Sequence, residues 1–99
     1  FVYVEDVAEA NVLSIKNNQT GIYNVSTCER ISINNLLECM MNFNTRNIEP
    51  IYKEERQGDV KHSVLNNKDT LSGIDWSPKT MLDEGIELTL KYYFRTSVL

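Results

Sequence analysis

Ninety-nine residues suffice for one small domain or part of one and exclude a multi-domain machine, because domains cluster near ~100 to 150 residues. Apolar residues are 41% of the chain and charged residues 24%, ordinary globular values that exclude disordered, collagen-like and coiled-coil readings. A formal charge of -4 opposes polyphosphate and anionic lipid, and no apolar run approaches the ~20 residues that span a bilayer; the expectation is a soluble, cytoplasmic protein with neither nucleic acid nor a membrane as partner.

The chain opens on Phe1 rather than Met, directly in a strand-like Phe-Val-Tyr-Val run, and is expected to be a piece of a longer one. Asp6 stands where a helix N-cap would, before an apolar rhythm at Val7, Ala10 and Leu13, so strand, turn and a helix from Val7 to Lys16 are predicted. That helix should stop in Asn17-Asn18-Gln19-Thr20-Gly21, and Gly21 to Val25 reads as a second strand. After the loop from Ser26 to Arg30, Ser32 is the expected N-cap of a helix whose Ile33, Leu36, Leu37, Met40 and Met41 share one face and which ends near Phe43.

Beyond the polar link Asn44-Thr45-Arg46-Asn47, Ile48 to Lys53 alternates around Pro50, the pattern of an edge strand. Val60 to Leu65 reads as a short extended segment, and Asn66 as the cap of one or two helical turns that Gly73 ends. Trp76, the only Trp, is expected to pack against the last helix. Thr80 is the expected cap of that helix, with Leu82, Ile86, Leu90 and Tyr93 in one stripe, acids in the first turn and Lys91 and Arg95 in the last. The tail from Thr96 to Leu99 is expected to fray.

Much chemistry is missing. Cys28, Cys39 and His62 lack the short spacings of metal ligands, and both thiols are expected to be reduced. No catalytic arrangement surrounds the single His62. Gly21, Gly58, Gly73 and Gly85 are isolated, so no phosphate-cradling glycine loop exists. A Tyr and Lys four apart, the acid/base pair of many nicotinamide enzymes, is also absent: Arg56 follows Tyr52 and Thr27 follows Tyr23.

The loop Arg56-Gln57-Gly58-Asp59 is the most informative. Arginine offers a fork of donors that matches phosphate oxygens, glycine permits a left-handed backbone, and the carboxylate can accept from a ribose diol. Taken alone, the same four residues equally describe an exposed turn with an ordinary surface ion pair, and by themselves they favour that plainer reading.

Four motifs in order carry a resemblance. Phe1-Val2-Tyr3-Val4-Glu5-Asp6-Val7-Ala8 resembles F-V-Y-V-x-D-V-A, and Gly21-Ile22-Tyr23-Asn24-Val25 resembles G-x-Y-N-V/I. Arg56-Gln57-Gly58-Asp59-Val60 is similar to R-P-G-D-V, and Trp76-Ser77-Pro78-Lys79 through Leu82-Asp83-Glu84-Gly85-Ile86 to W-x-P-K-x-x-L-x-E-G-I/L. Together they resemble the C-terminal part of extended short-chain dehydrogenases/reductases, in the NAD-dependent nucleotide-sugar epimerase/dehydratase family and its UDP-glucose 4-epimerase-like members. Departures are Ser26-Thr27-Cys28 where the family has G-T-G, Gln57 in place of Pro, and Asn66 in place of Asp.

The resemblance implies an α/β fold: a small mixed domain of three to four helices with short strands, the substrate-binding lobe of a Rossmann-type enzyme. Residues 1–28 would form a strand-helix-strand unit bordering a missing N-terminal NAD-binding domain, and residues 29–99 the nucleotide-sugar lobe. Carried over, Arg56 would bind the diphosphate and Asp59 the ribose, with His62 just past the loop as a further substrate-binding residue. The implied mechanism is transient oxidation of the sugar by tightly bound NAD and return of the hydride. This chain carries no cofactor or catalytic residue of its own in that reading. Its partners would be a nucleotide-diphosphate sugar, the NAD-binding domain and, through apolar surface left exposed, a second copy of itself. The other reading is a stand-alone small α/β protein-interaction module that binds no nucleotide.

Overall fold

The computed structural model describes residues 1–44 and 46–96. Among them are four helices, α1 (Val4–Lys16), α2 (Ile33–Asn42), α3 (Lys68–Gly73) and α4 (Leu82–Thr96). None is long and apolar enough to cross a membrane. Thr45 of the polar link, and the tail beyond Thr96 where fraying was expected, lie outside the described residues.

Helix α1 begins three residues earlier than the sequence pattern suggests. Tyr3 is its extended N-cap residue (φ -71°, ψ 142°), and the Val7 N–H donates to Tyr3 O at 3.2 Å. Asp6 is therefore not the N-cap but a first-turn residue, its carboxylate free to reach elsewhere. The helix stops at Asn17, whose N–H donates to Leu13 O at 2.9 Å and whose side-chain Nδ2 donates to Ile74 O at 3.0 Å.

Ser32 caps α2 as its sequence indicates: the Asn35 N–H donates to Ser32 Oγ at 3.1 Å. The apolar face that follows packs α2 against α4. Helix α3 starts two residues after Asn66, because Asn67 occupies the capping position without a side-chain capping bond. Asn66 still braces that turn, its Oδ1 accepting from the Lys68 N–H at 2.9 Å. Ahead of α4, the Thr80 N–H is held by a partner from α1.

The segments expected as strands, 1–4, 21–25 and 48–53, form none among the described residues, and Val4 is already helical, while 60–65, expected as a short extended segment, is non-helical. A period-two pattern prepares one face of a strand, but the ladder needs a neighbour with free backbone groups. Here side chains make the link instead. Asn24 Nδ2 donates to Asn66 O at 3.1 Å, Thr70 Oγ1 to Asn24 O at 2.6 Å and Asn67 Nδ2 to Ser26 O at 2.6 Å. Cys28 Sγ completes the seam, donating to Leu65 O and accepting from the Asn67 N–H, both at 3.3 Å.

Ala10, Ile74 and Trp76 form the buried core, with Val2, Leu13, Tyr23 and Val25 packed around it. Trp76 thus packs on α1 rather than on the last helix, and its Nε1–H donates to Asp6 O at 2.8 Å. Tyr23 depends on two glycines. A Cβ at Gly21 would stand 3.3 Å from its ring, and one at Gly73 only 2.4 Å away.

This core leaves much surface in water. The chain exposes 8581 Å², whereas a compact monomer of 11.4 kDa exposes about 5,800 Å². Its radius of gyration of 16.4 Å exceeds the ~13 Å of a compact chain of this length.

Candidate functional site

The loop read from sequence as a ligand grip is a tight turn. The Asp59 N–H donates to Arg56 O at 3.3 Å, and Gly58 sits at φ 89°, the left-handed value a type II turn needs at its third residue. The turn brings the two candidate side chains together: Arg56 Nε donates to Asp59 Oδ2 at 3.2 Å. Their side chains are 87% and 61% exposed, so this pair adds little stability.

Its chemistry remains open to a ligand. One of the five guanidinium N–H donors of Arg56 is engaged by Asp59, which leaves four for an anion, and Asp59 retains Oδ1 as an acceptor. Lys61 Nζ lies 3.2 Å from Glu55 Oε1 beside the turn. His62 follows in an exposed, non-helical stretch; the turn itself joins Arg56 and Asp59 only. No group of three or more His, Cys, Asp and Glu side chains suited to a metal ion occurs among the described residues.

A second feature escaped the sequence reading. A groove of about 710 Å³ runs between the N-terminal residues, α2 and α4, lined by Phe1, Tyr3, Val4, Met40, Met81, Leu88 and Tyr92 among others. Neither Arg56, Asp59 nor His62 lines it. Tyr3 lies over Gly85, where a Cβ would be 3.4 Å from its ring. Its hydroxyl is pushed above the usual value by desolvation first, then by the carboxylates of Glu5, Asp6 and Glu84.

Asp6 was also misjudged from sequence. Only 4% exposed, its Oδ2 accepts from the Lys79 N–H at 3.2 Å and the Thr80 N–H at 3.0 Å. Lys79 Nζ in turn pairs with Glu9 Oε1. The residue is a structural clasp between α1 and the lead-in to α4. No local signal could reveal a partner more than seventy positions away.

Cys28 and Cys39 are free. Cys28 adopts φ 60°, at a position where the motif it resembles carries glycine. Cys39 faces α4: a hydrogen bond with Asp83 raises its thiol above the usual value, and desolvation and the charges of Asp83 and Glu38 add to the rise.

The chain matches no protein-family model. It is 34% identical over 92 residues to the putative UDP-glucose 4-epimerase of Methanocaldococcus jannaschii, which covers 93% of this chain and 30% of that protein. In structure it is similar to the UDP-glucose 4-epimerase of Thermotoga maritima solved with UDP-glucose, with a TM-score of 0.90 and 34% identity over 96% of this chain and 31% of that one. It is equally similar to the UDP-N-acetylglucosamine 4-epimerase of Methanobrevibacter ruminantium in complex with UDP-N-acetylmuramic acid, with a TM-score of 0.90 and 31% identity over 98% of this chain and 31% of that one. The chain therefore spans just under a third of the length of the relatives it matches, and over that span it shares their sequence and fold. The resemblance to nucleotide-sugar epimerases read from the four motifs is borne out.

Proposed function

We infer that the chain is the nucleotide-gripping, C-terminal portion of a nucleotide-sugar 4-epimerase. The observation that carries this is the turn that sets the Arg56 guanidinium 3.2 Å from the Asp59 carboxylate in an exposed loop, in a chain whose structural relatives were solved with uridine-diphosphate sugars. In this reading the free N–H edge of Arg56 takes the diphosphate oxygens, Asp59 accepts from the ribose hydroxyls, and His62 borders the nucleotide.

The chain's own residues do not fit a dinucleotide. Gly21, Gly58, Gly73 and Gly85 are scattered, so the sequence supplies no glycine-rich turn of the kind that cradles a pyrophosphate. NAD would be held by the remaining portion of the enzyme, which residues 1–28 would border, while residues 29–99 form the substrate lobe. The extended segments 21–25 and 48–53 would become strands on meeting the sheet of that portion, giving the α/β architecture.

Titration of the ¹⁵N-labelled chain with UDP and UDP-glucose tests this reading. Amides from Glu55 to Ser63 are expected to shift at millimolar ligand in the wild type, and to stay in place in Arg56→Ala. No shift in that stretch, or a shift unchanged by Arg56→Ala, would remove the assignment.

A further inference from the structure

The turn that joins Arg56 to Asp59 lies inside a second ion pair, Lys61 with Glu55. We propose that this outer pair holds a reserve cation for the diphosphate: Lys61 exchanges Glu55 for a phosphate oxygen when the nucleotide sugar binds, and Glu55 competes with the ligand for it. The proposal rests on the reading of the loop as the nucleotide grip and adds to it two residues that the turn itself does not contain.

Charge balance is the first argument. Each phosphate of a nucleotide-diphosphate sugar carries a negative charge. Arg56 brings one positive charge, and the Asp59 carboxylate 3.2 Å away offsets it. The turn by itself is therefore neutral and leaves the diphosphate without a counter-charge. From Gln57 to Asn67 the one lysine or arginine is Lys61.

Placement is the second. Lys61 Nζ lies 3.2 Å from Glu55 Oε1, and Glu55 directly precedes Arg56. This contact carries the lysine back across the turn and sets its ammonium beside the arm that bears the guanidinium. One of the three ammonium N–H donors faces Glu55, which leaves two for a phosphate. The side chains of Lys61 and Glu55 are 74% and 84% exposed, so their attraction is weak and the pair opens at little cost. A compact ammonium on a flexible stem suits that exchange better than a second rigid guanidinium would.

The two members of the pair act on the ligand with opposite signs. Lys61 attracts the diphosphate, whereas Glu55 repels it and occupies the ammonium. A pair that merely braced the turn would need both members, and loss of either would weaken binding. The signs of the two substitutions therefore separate exchange from bracing.

Titration of the ¹⁵N-labelled chain with UDP and with inorganic pyrophosphate, read at the amides from Glu55 to Ser63, tests the proposal. Lys61→Met is expected to weaken both ligands about fivefold at low salt, and Lys61→Arg to recover most of that loss. Glu55→Gln is expected to tighten both about threefold. Lys53→Met and Glu54→Gln change charge in the same way at residues with no ion pair among those described, and each is expected to stay within about one and a half-fold of the wild type. Amides outside the loop report that every variant keeps its fold. Pyrophosphate affinity unchanged in Lys61→Met, weaker binding in Glu55→Gln, or controls that match the variants of the pair would overturn the proposal. Binding lost in Arg56→Ala but untouched in Lys61→Met removes the lysine and leaves the nucleotide grip in place. Binding weakened in Lys61→Met but untouched in Arg56→Ala does the reverse, and a wild type that takes neither ligand removes both.

Discussion

The Trp76 indole N–H donates to the main-chain oxygen of Asp6 at 2.8 Å, while the carboxylate of that same Asp6 accepts from the N–H groups of Lys79 and Thr80. One residue of α1 thus holds both ends of the segment that leads into α4.

Asp6→Ala removes the acceptor for two amides in a buried setting. Hydrogen bonds to charged groups contribute ~1.5–3 kcal/mol each and are not independent here. A loss of about 3 kcal/mol in urea unfolding is expected. Asp6→Asn keeps an oxygen at the same place and should lose less than half as much.

Gly73→Ala separates sterics from helix propensity. Alanine in a helix is normally favoured over glycine by about 1 kcal/mol, yet here its Cβ would stand 2.4 Å from the Tyr23 ring. The substitution is expected to cost ~1–3 kcal/mol in the wild type. In a Tyr23→Ala background it should become neutral or stabilising, a coupling that a double-mutant cycle reads directly.

Cys28 at φ 60° carries the strain of a side chain in the left-handed region, about 1 kcal/mol. Cys28→Gly relieves that strain, whereas Cys28→Ala keeps it, and both lose the thiol's bonds to Leu65 and Asn67. The glycine variant is expected to unfold at higher urea than the alanine variant. The reverse order would show that the bend is not strained.

Cys39 holds its proton more tightly than an ordinary thiol, first through the hydrogen bond with Asp83. Since the thiolate is the reactive form, a raised pKa means less thiolate at a given pH. Alkylation by iodoacetamide in a Cys28→Ser background should therefore lag behind a model thiol at neutral pH and approach it only on the alkaline side. Asp83→Ala removes both the hydrogen bond and the nearest carboxylate, so its alkylation profile should move to lower pH.

What was legible in the sequence was local. Ser32 lies three residues from the N–H it accepts, and Arg56 three residues from Asp59, so spacing alone identified both pairs. The acids and the base at the two ends of α4 were equally plain. Asp6 failed because a cap and a long-range clasp ask for the same side chain in the same place, and only the partner's position separates them. The strands failed because alternation describes one face of a sheet and says nothing of the neighbour. Asn24, Asn66, Asn67 and Thr70 satisfy backbone groups with side chains instead, and no periodicity announces that. The groove combines the first residues with α2 and α4, a juxtaposition set only by the tertiary fold.

The clasp also fixes when order can appear during synthesis. Asp6 and Thr80 are 74 positions apart, and the core joins Ala10 to Ile74 and Trp76. Until the ribosome has released the chain through residue 80, the contacts of α1 with Ile74, Trp76, Lys79 and Thr80 cannot form. Residues 74–80 therefore act as the key that closes this core, and a nascent chain stalled before them would meet the chaperone machinery without those contacts to its first helix.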